Sequence, residues 1–296
     1  MKRFWILLLV LSLLFVACQN DAQSPASEAA EQDTEAAADA APQEDAETPA
    51  ADSDKLVVGM EATYPPFNWT QLDDSNGAVA INGTQEFAGG YDVEIAKRVA
   101  EGLGKELVIE KMEWEGLEPA LRSGIIDAII AGMSPLESRK ESIDFSDIYY
   151  QSEFVIVVLK DGPYADAKGI NDFAGATITG QLNTSHYTVI DEMEGVNKDP
   201  AMSDFGAMRV ALESGIIDAY VAERPEGLSI TEVKPNFTYI VPEPNFSAPI
   251  EEVSVAVGLQ KGSDLVEPIN EVLKDISAEE RDELMLNALN NQPGQE

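Results

Sequence analysis

Four short clusters in this chain carry side chains suited to gripping a small charged molecule. Glu61, Tyr64, Phe67 and Trp69 follow one apolar run, and Gly132, Met133, Ser134 and Arg139 follow a second. Gln181, Asn183 and Thr184 lie between two further segments, and Glu223 and Arg224 close a fourth. Together they offer guanidinium groups, carboxylates, aromatic faces and polar turns. That inventory suits a zwitterion. Arg139 can present its planar fork to a carboxylate, a helix start expected at Thr184 offers a second anion donor, and Glu223 can stand opposite an ammonium. Nucleophilic chemistry is short of parts, because the chain has one Cys, Cys18, and one His, His186. No His/Cys cluster at metal-ligand spacing exists, so no metal and no cofactor is expected. A carboxylate-only acid/base site around Glu61 and Glu223 is the rival, enzymatic reading.

The elements that must position these residues show a repeat. Residues 120–131 read ALRSGIIDAIIA and residues 211–222 read ALESGIIDAYVA. Each copy predicts the end of an amphipathic helix, a glycine C-cap (Gly124, Gly215) and an apolar strand. Ile125 through Ile130 read as a strand buried on both faces. Asp127 and Asp218, at the strand starts, read as structural. A period this long suggests two α/β lobes rather than a solenoid. In open α/β sheets ligands bind beyond the carboxyl ends of the strands, where all four clusters fall.

The remaining pattern supports α/β alternation. Strands are expected at Lys55–Met60, Glu106–Glu110, Phe154–Leu159, Ala176–Gly180 and Val253–Leu259. Helices are expected from an Asp92 N-cap, over Ser185–Met193 and over two C-terminal segments from Leu265 and Glu279. The strand from Phe154 is where the chain is expected to cross between lobes.

The N-terminus speaks to location. Lys2 and Arg3 precede an apolar run over 4–17 that ends at Cys18. The run is too short for a settled membrane span. Phe15-Val16-Ala17-Cys18 is similar to a bacterial lipobox, which implies a lipidated Cys18 after removal of the signal segment, residues 1–18. Residues 19–54 hold twelve Ala, eleven Asp or Glu, no Lys or Arg and no aromatic residue. Such a segment cannot bury a core and reads as an extended tether. Among the remaining residues no apolar stretch approaches the length of a membrane span, which disfavours a receptor with a downstream membrane segment. With 54 acidic against 19 basic residues the formal net charge is −35, which argues against nucleic acid and anionic membrane as partners.

Several linked motifs then resemble one family. Tyr64-Pro65-Pro66-Phe67 after a strand, Gly90-Tyr91-Asp92-Val93-Glu94-Ile95-Ala96, SGIIDAIIAGMS with Arg139 five residues after Ser134, and DFSDIYY look like the polar amino-acid-binding proteins of ABC importers. The resemblance covers about residues 55–290. It implies a two-lobed, type II periplasmic-binding-protein-like α/β fold with two crossovers: residues 55–150 plus 249–296 as lobe 1 and 151–248 as lobe 2. By position, Arg139 would grip the α-carboxylate, helped by Ser134 and Thr184, and Glu223 would take the α-amino group, where the family more often has Asp. Tyr64 and Tyr91 would sandwich the ligand side chain, with Glu61 at its far end and Gly132 lining the site. Phe67, Met133 and Asn183 complete the expected set. Leu136 stands where Thr is usual and Asn183 where Gly is usual. The implied protein is a monomeric, membrane-anchored lipoprotein that delivers a polar or basic L-amino acid to ABC permease subunits.

Overall fold

The computed structural model describes residues 54–294. The expected signal segment, Cys18 and the tether as far as residue 53 lie outside the described residues. The chain opens with β1 (Lys55–Met60) and runs into a small antiparallel sheet of β2 (Thr63–Tyr64), β3 (Asn68–Gln71), β4 (Val79–Ala80) and β5 (Phe87–Gly89). Helix α1 (Tyr91–Gly102), β6 (Glu106–Lys111), α2 (Trp114–Ser123), β7 (Ala128–Ile129), α3 (Glu137–Lys140) and β8 (Ile143–Gln151) follow. Only residues 152 and 153 separate β8 from β9 (Phe154–Leu159), which belongs to another sheet. That sheet also takes β10 (Thr177–Thr179), β11 (Asn197–Lys198), β12 (Ala219–Glu223) and β13 (Phe237–Ile240), with α4 (Ser185–Thr188), α5 (Phe205–Glu213) and α6 (Arg224–Val233) between them. A second connection returns the chain to β14 (Ser254–Gln260), and α7 (Val266–Asp275) and α8 (Ala278–Asn291) end it.

The two five-stranded sheets share one plan. Their orders are β6-β1-β7-β14-β8 and β11-β10-β12-β9-β13. In each, three parallel strands are followed by two that run antiparallel to their neighbours. The repeat noticed in the sequence occupies the third strand of both. Gly124 (φ 76°) and Gly215 (φ 73°) make the left-handed turns that end α2 and follow α5. The helix faces are as expected: Leu117, Ala120 and Leu121 of α2 are buried, as are Met208, Ala211 and Leu212 of α5.

Four expectations are corrected. The first repeat strand is short: β7 spans two residues, and Ile125 is 65% exposed, as is its counterpart Ile216. The chain is still turning out of the glycine at those positions and has not entered the sheet. Asp92 is not an N-cap; Gly90 holds that place, and Asp92 is fully buried in the first turn of α1. Asp92 instead accepts from Asn68 Nδ2 at 2.8 Å and from the Tyr149 hydroxyl at 2.7 Å, while Asn68 Oδ1 accepts from the Ala62 N–H. This network ties the β1–β3 turn to β8. Burial raises the Asp92 carboxyl to about 6 against these hydrogen bonds. The helix expected over Ser185–Met193 is a single α turn, α4, continued by a 3-10 turn over Val189–Glu192. Finally, β8 and β13 were not anticipated; β8 alternates irregularly because Asp144 and Asp147 interrupt it.

Candidate ligand-binding site

The carboxyl ends of β1, β7, β10 and β12 converge on one cleft. The turn after β1 is held by the Asn68–Asp92 network and carries Glu61 and Tyr64. Gly132 (φ 63°) follows β7, and a Cβ there would stand 2.9 Å from the Tyr64 ring, so the tyrosine's close approach requires the glycine. From the other lobe come Gln181 after β10, Thr184 at the start of α4, and Glu223 at the end of β12.

Across the cleft four contacts join the lobes. The Tyr64 hydroxyl donates to Glu223 Oε2. Gln181 Nε2 donates to Glu61 Oε2 at 3.2 Å. Arg139 Nη2 donates to the Asn183 carbonyl at 2.7 Å. The Tyr64 and Phe205 rings stack at 4.4 Å with 8° between their planes. Tyr64, Gly132, Ser134, Arg139, Thr184 and His186 line a residual cavity of only ≈ 10 Å³, with Trp114 and Gln181 beside them. That space admits no amino acid, so entry requires the lobes to part. Beyond Arg139 the cleft widens to a groove of ≈ 980 Å³ that includes Trp114, Met133, Leu136, Asn183 and Glu252. On the far side of Glu61 lies a cavity of ≈ 380 Å³ bordered by Glu113, Asp204 and Lys111.

Arg139 is suited to an anion. Its side chain is buried, it donates from Nη1 to the Ser134 carbonyl at 2.8 Å, and its guanidinium carbon lies 5.2 Å from the centre of the Trp114 ring. Burial lowers its pKa to about 10, with Glu118 opposing. Nearby acids are engaged elsewhere: Glu137 pairs with Lys140 and Asp144 with Lys261, and among the described residues no carboxylate lies within 4.0 Å of the Arg139 guanidinium. A buried cation whose partners are neutral carbonyls gains most from a carboxylate.

The acids have distinct settings. Burial raises Glu61 to about 7, Gln181 opposes, and Asp204 and Glu113 add like charge. Glu223, almost wholly buried, is pushed up by burial, but His186 and Tyr64 outweigh that and hold it below the usual range. Arg224, its neighbour in sequence, pairs instead with Glu153 at the first connection.

Not every expected residue reaches the cleft. Tyr91 is fully buried in lobe 1, its hydroxyl on the Tyr149 carbonyl at 3.0 Å, and cannot sandwich a ligand with Tyr64. Phe67 lies behind Tyr64, 5.1 Å between ring centres, and fixes that ring's position. Trp69, named in the first cluster, is buried in the small sheet with its Nε1 on Gln71. Ser134 lines the cleft, and its hydroxyl lies 3.4 Å from the Glu252 carbonyl. Thr184 donates to the Gln181 carbonyl at 2.8 Å, and with α4 only four residues long the expected helix-end anion site is weak. Asn183 has φ 58°, a left-handed turn that Asn tolerates in place of Gly. Trp114, His186 and Phe205 were not among the expected site residues, whereas Gln181, grouped in the sequence with Asn183 and Thr184, does reach the cleft. Trp114 opens the first repeat helix, and His186 is the chain's one histidine, but the sequence does not show that either faces the cleft.

Comparison with known proteins agrees with the two-lobed α/β fold. The family model of the bacterial extracellular solute-binding proteins, family 3, matches residues 56–287. The chain is 28% identical over 231 residues to the arginine-binding extracellular protein ArtP of Bacillus subtilis, covering 75% of this chain and 80% of that one. It is 30% identical over 226 residues to the L-cystine-binding protein TcyJ of Escherichia coli, covering 75% and 77%. Among solved structures, the amino acid ABC transporter substrate-binding protein AbpA of Streptococcus pneumoniae bound to L-arginine superposes with a TM-score of 0.68 at 25% identity, covering 80% of this chain and 95% of that one. An ancestral arginine-binding protein bound to glutamine gives 0.65 at 30% identity, covering 78% and 96%.

Proposed function

Because the chain belongs to the bacterial extracellular solute-binding proteins, family 3, we propose that it captures a polar or basic L-amino acid between its lobes and delivers it to a membrane ABC importer. The observation that carries this is Arg139: a buried guanidinium at the cleft, held by carbonyls, with no carboxylate within 4.0 Å among the described residues. In this reading Arg139 takes the ligand α-carboxylate and Glu223 the α-ammonium. Tyr64 and Trp114 flank the side chain, and Glu61 meets its distal end. Residues 151–248 move as one body against the rest, parting the Tyr64–Phe205 stack to admit the ligand.

Arginine and lysine rank first and glutamine next, with acidic and small apolar ligands last. Three acids, Glu61, Glu113 and Asp204, border the distal cavity, which favours a cationic tip. The arginine-binding relative supports the same ranking. In this reading the site binds without turnover, which the match to a family of solute-binding proteins supports. The protein acts as a monomer, held at the extracytoplasmic face by lipid on Cys18. A thermal-shift screen of the twenty amino acids tests the reading, because a ligand that binds only the folded state raises its melting temperature. No shift with any of them, together with turnover of another metabolite, would favour the enzymatic alternative.

A further inference from the structure

His186 is the chain's only histidine and is buried on the cleft wall. Its Nε2 lies 2.7 Å from Glu223 Oε2, an ion-pair distance, but the approach is too oblique for a hydrogen bond. Its Nδ1 lies 3.1 Å from Thr184 Oγ1. The Thr184 hydroxyl gives its one proton to the Gln181 carbonyl, so it can only accept from Nδ1–H. Nε2 meanwhile faces a carboxylate. Both ring nitrogens therefore face acceptors, which is the environment of an imidazolium.

We propose that His186 is a built-in stand-in for the ligand ammonium: its imidazolium neutralises Glu223 until an amino acid arrives, then yields the carboxylate and releases a proton. This rests on the reading of Glu223 as the ammonium acceptor. Charge balance carries the argument. With an amino acid in place, Arg139 is matched by the ligand carboxylate and Glu223 by the ligand ammonium. A retained imidazolium would be an unpaired buried charge, which is costly. In the exchange the Nε2–H bond breaks, its proton goes to solvent, and the freed Nε2 lone pair accepts an N–H of the ammonium while Glu223 accepts another.

The groups around His186 fit that role. Glu223 from β12 and the Tyr64 hydroxyl from β2 meet at the same oxygen. Arg139 and Gln181 line the same small cavity. Phe154 and Phe205 meet the imidazole at 76° and 83°, with ring centres 5.7 and 5.6 Å away, and exclude water. Glu226 is already paired with Arg209 and Tyr220. The Glu252 carbonyl is taken up by Ser185.

A single histidine makes the test direct. Untagged full-length protein carrying 15N-histidine is titrated by NMR from about pH 5 to 8, the span of an ordinary imidazole, with and without saturating L-glutamine. Glutamine is the probe because a cationic ligand would also draw a proton from Glu61. Saturation should lower the His186 midpoint by about one pH unit or more. By linkage, wild-type affinity should then weaken by up to about tenfold per pH unit between the two midpoints, with calorimetry showing proton release that His186→Gln abolishes. A midpoint that stays or rises on saturation, or undiminished proton release from His186→Gln, overturns the inference and leaves the binding reading intact. If none of the twenty amino acids binds wild type, the binding reading fails and takes this inference with it.

Discussion

Asp127 and Asp218 hold equivalent places in the two lobes: each carboxylate accepts a backbone N–H of the neighbouring strand at 2.8 Å, Val57 in one sheet and Thr177 in the other. The acid of each repeat thus braces the parallel strand beside its own, β1 in one sheet and β10 in the other. Alanine at either position should cost about 1–3 kcal/mol, because a strand backbone N–H loses a charged acceptor. The two sites share no partner, so the double variant should show the sum. Urea melts of the three variants check this, and unchanged midpoints would deny the bracing role.

The Tyr64–Phe205 stack holds the lobes together at the cleft. Phe205→Ala should remove about 0.5–1.5 kcal/mol of closing free energy beyond the area lost. Small-angle scattering of the variant should show a larger radius of gyration than wild type without ligand, and a return towards the wild-type value on saturation with L-arginine. Identical radii in both conditions would mean the stack does not close the cleft.

Glu61 makes stability depend on pH. Its carboxyl is raised from 4.5 to about 7, so the folded state holds that proton more tightly than the unfolded chain does. The contribution is therefore fully present below about pH 4.5 and is lost as pH rises through about 7. The melting temperature of wild type minus that of Glu61→Gln should fall across this window. Glu61→Gln should also erase much of the preference for arginine over glutamine. A flat difference, or an unaltered preference, would contradict the assignment of Glu61 to the distal end.

Cys18→Ser should release the protein from membranes without changing the affinity of the binding domain. Stable attachment through acyl chains needs two or more of them, each buried CH₂ contributing about 0.8 kcal/mol. A variant that stays membrane-bound would show that the apolar run over 4–17 is retained as the anchor.

Much of the fold was legible because the signals are local. Gly124 and Gly215 announce the turns, and the helix faces announce their burial. The exposed Ile125 and Ile216 misled because apolar character alone does not say where a strand enters the sheet. Strand β8 hid because Asp144, paired with Lys261 at 2.7 Å, breaks the alternation with an edge salt bridge. At the site, Arg139, Tyr64 and Glu223 could be picked out by type and position. Trp114, His186 and Phe205 could not, since each faces the cleft only once the two lobes are built. Tyr91 and Trp69 erred the other way: aromatic residues beside a site motif served as its packing.

The most direct measurement is calorimetry of L-arginine binding to wild type, Arg139→Ala and Arg139→Lys. Losing the guanidinium from a buried carboxylate should cost roughly 2–5 kcal/mol in the alanine variant, and lysine should rescue little because it lacks the planar fork. Near-native affinity in Arg139→Ala would contradict the central claim that this buried guanidinium holds the ligand's carboxylate.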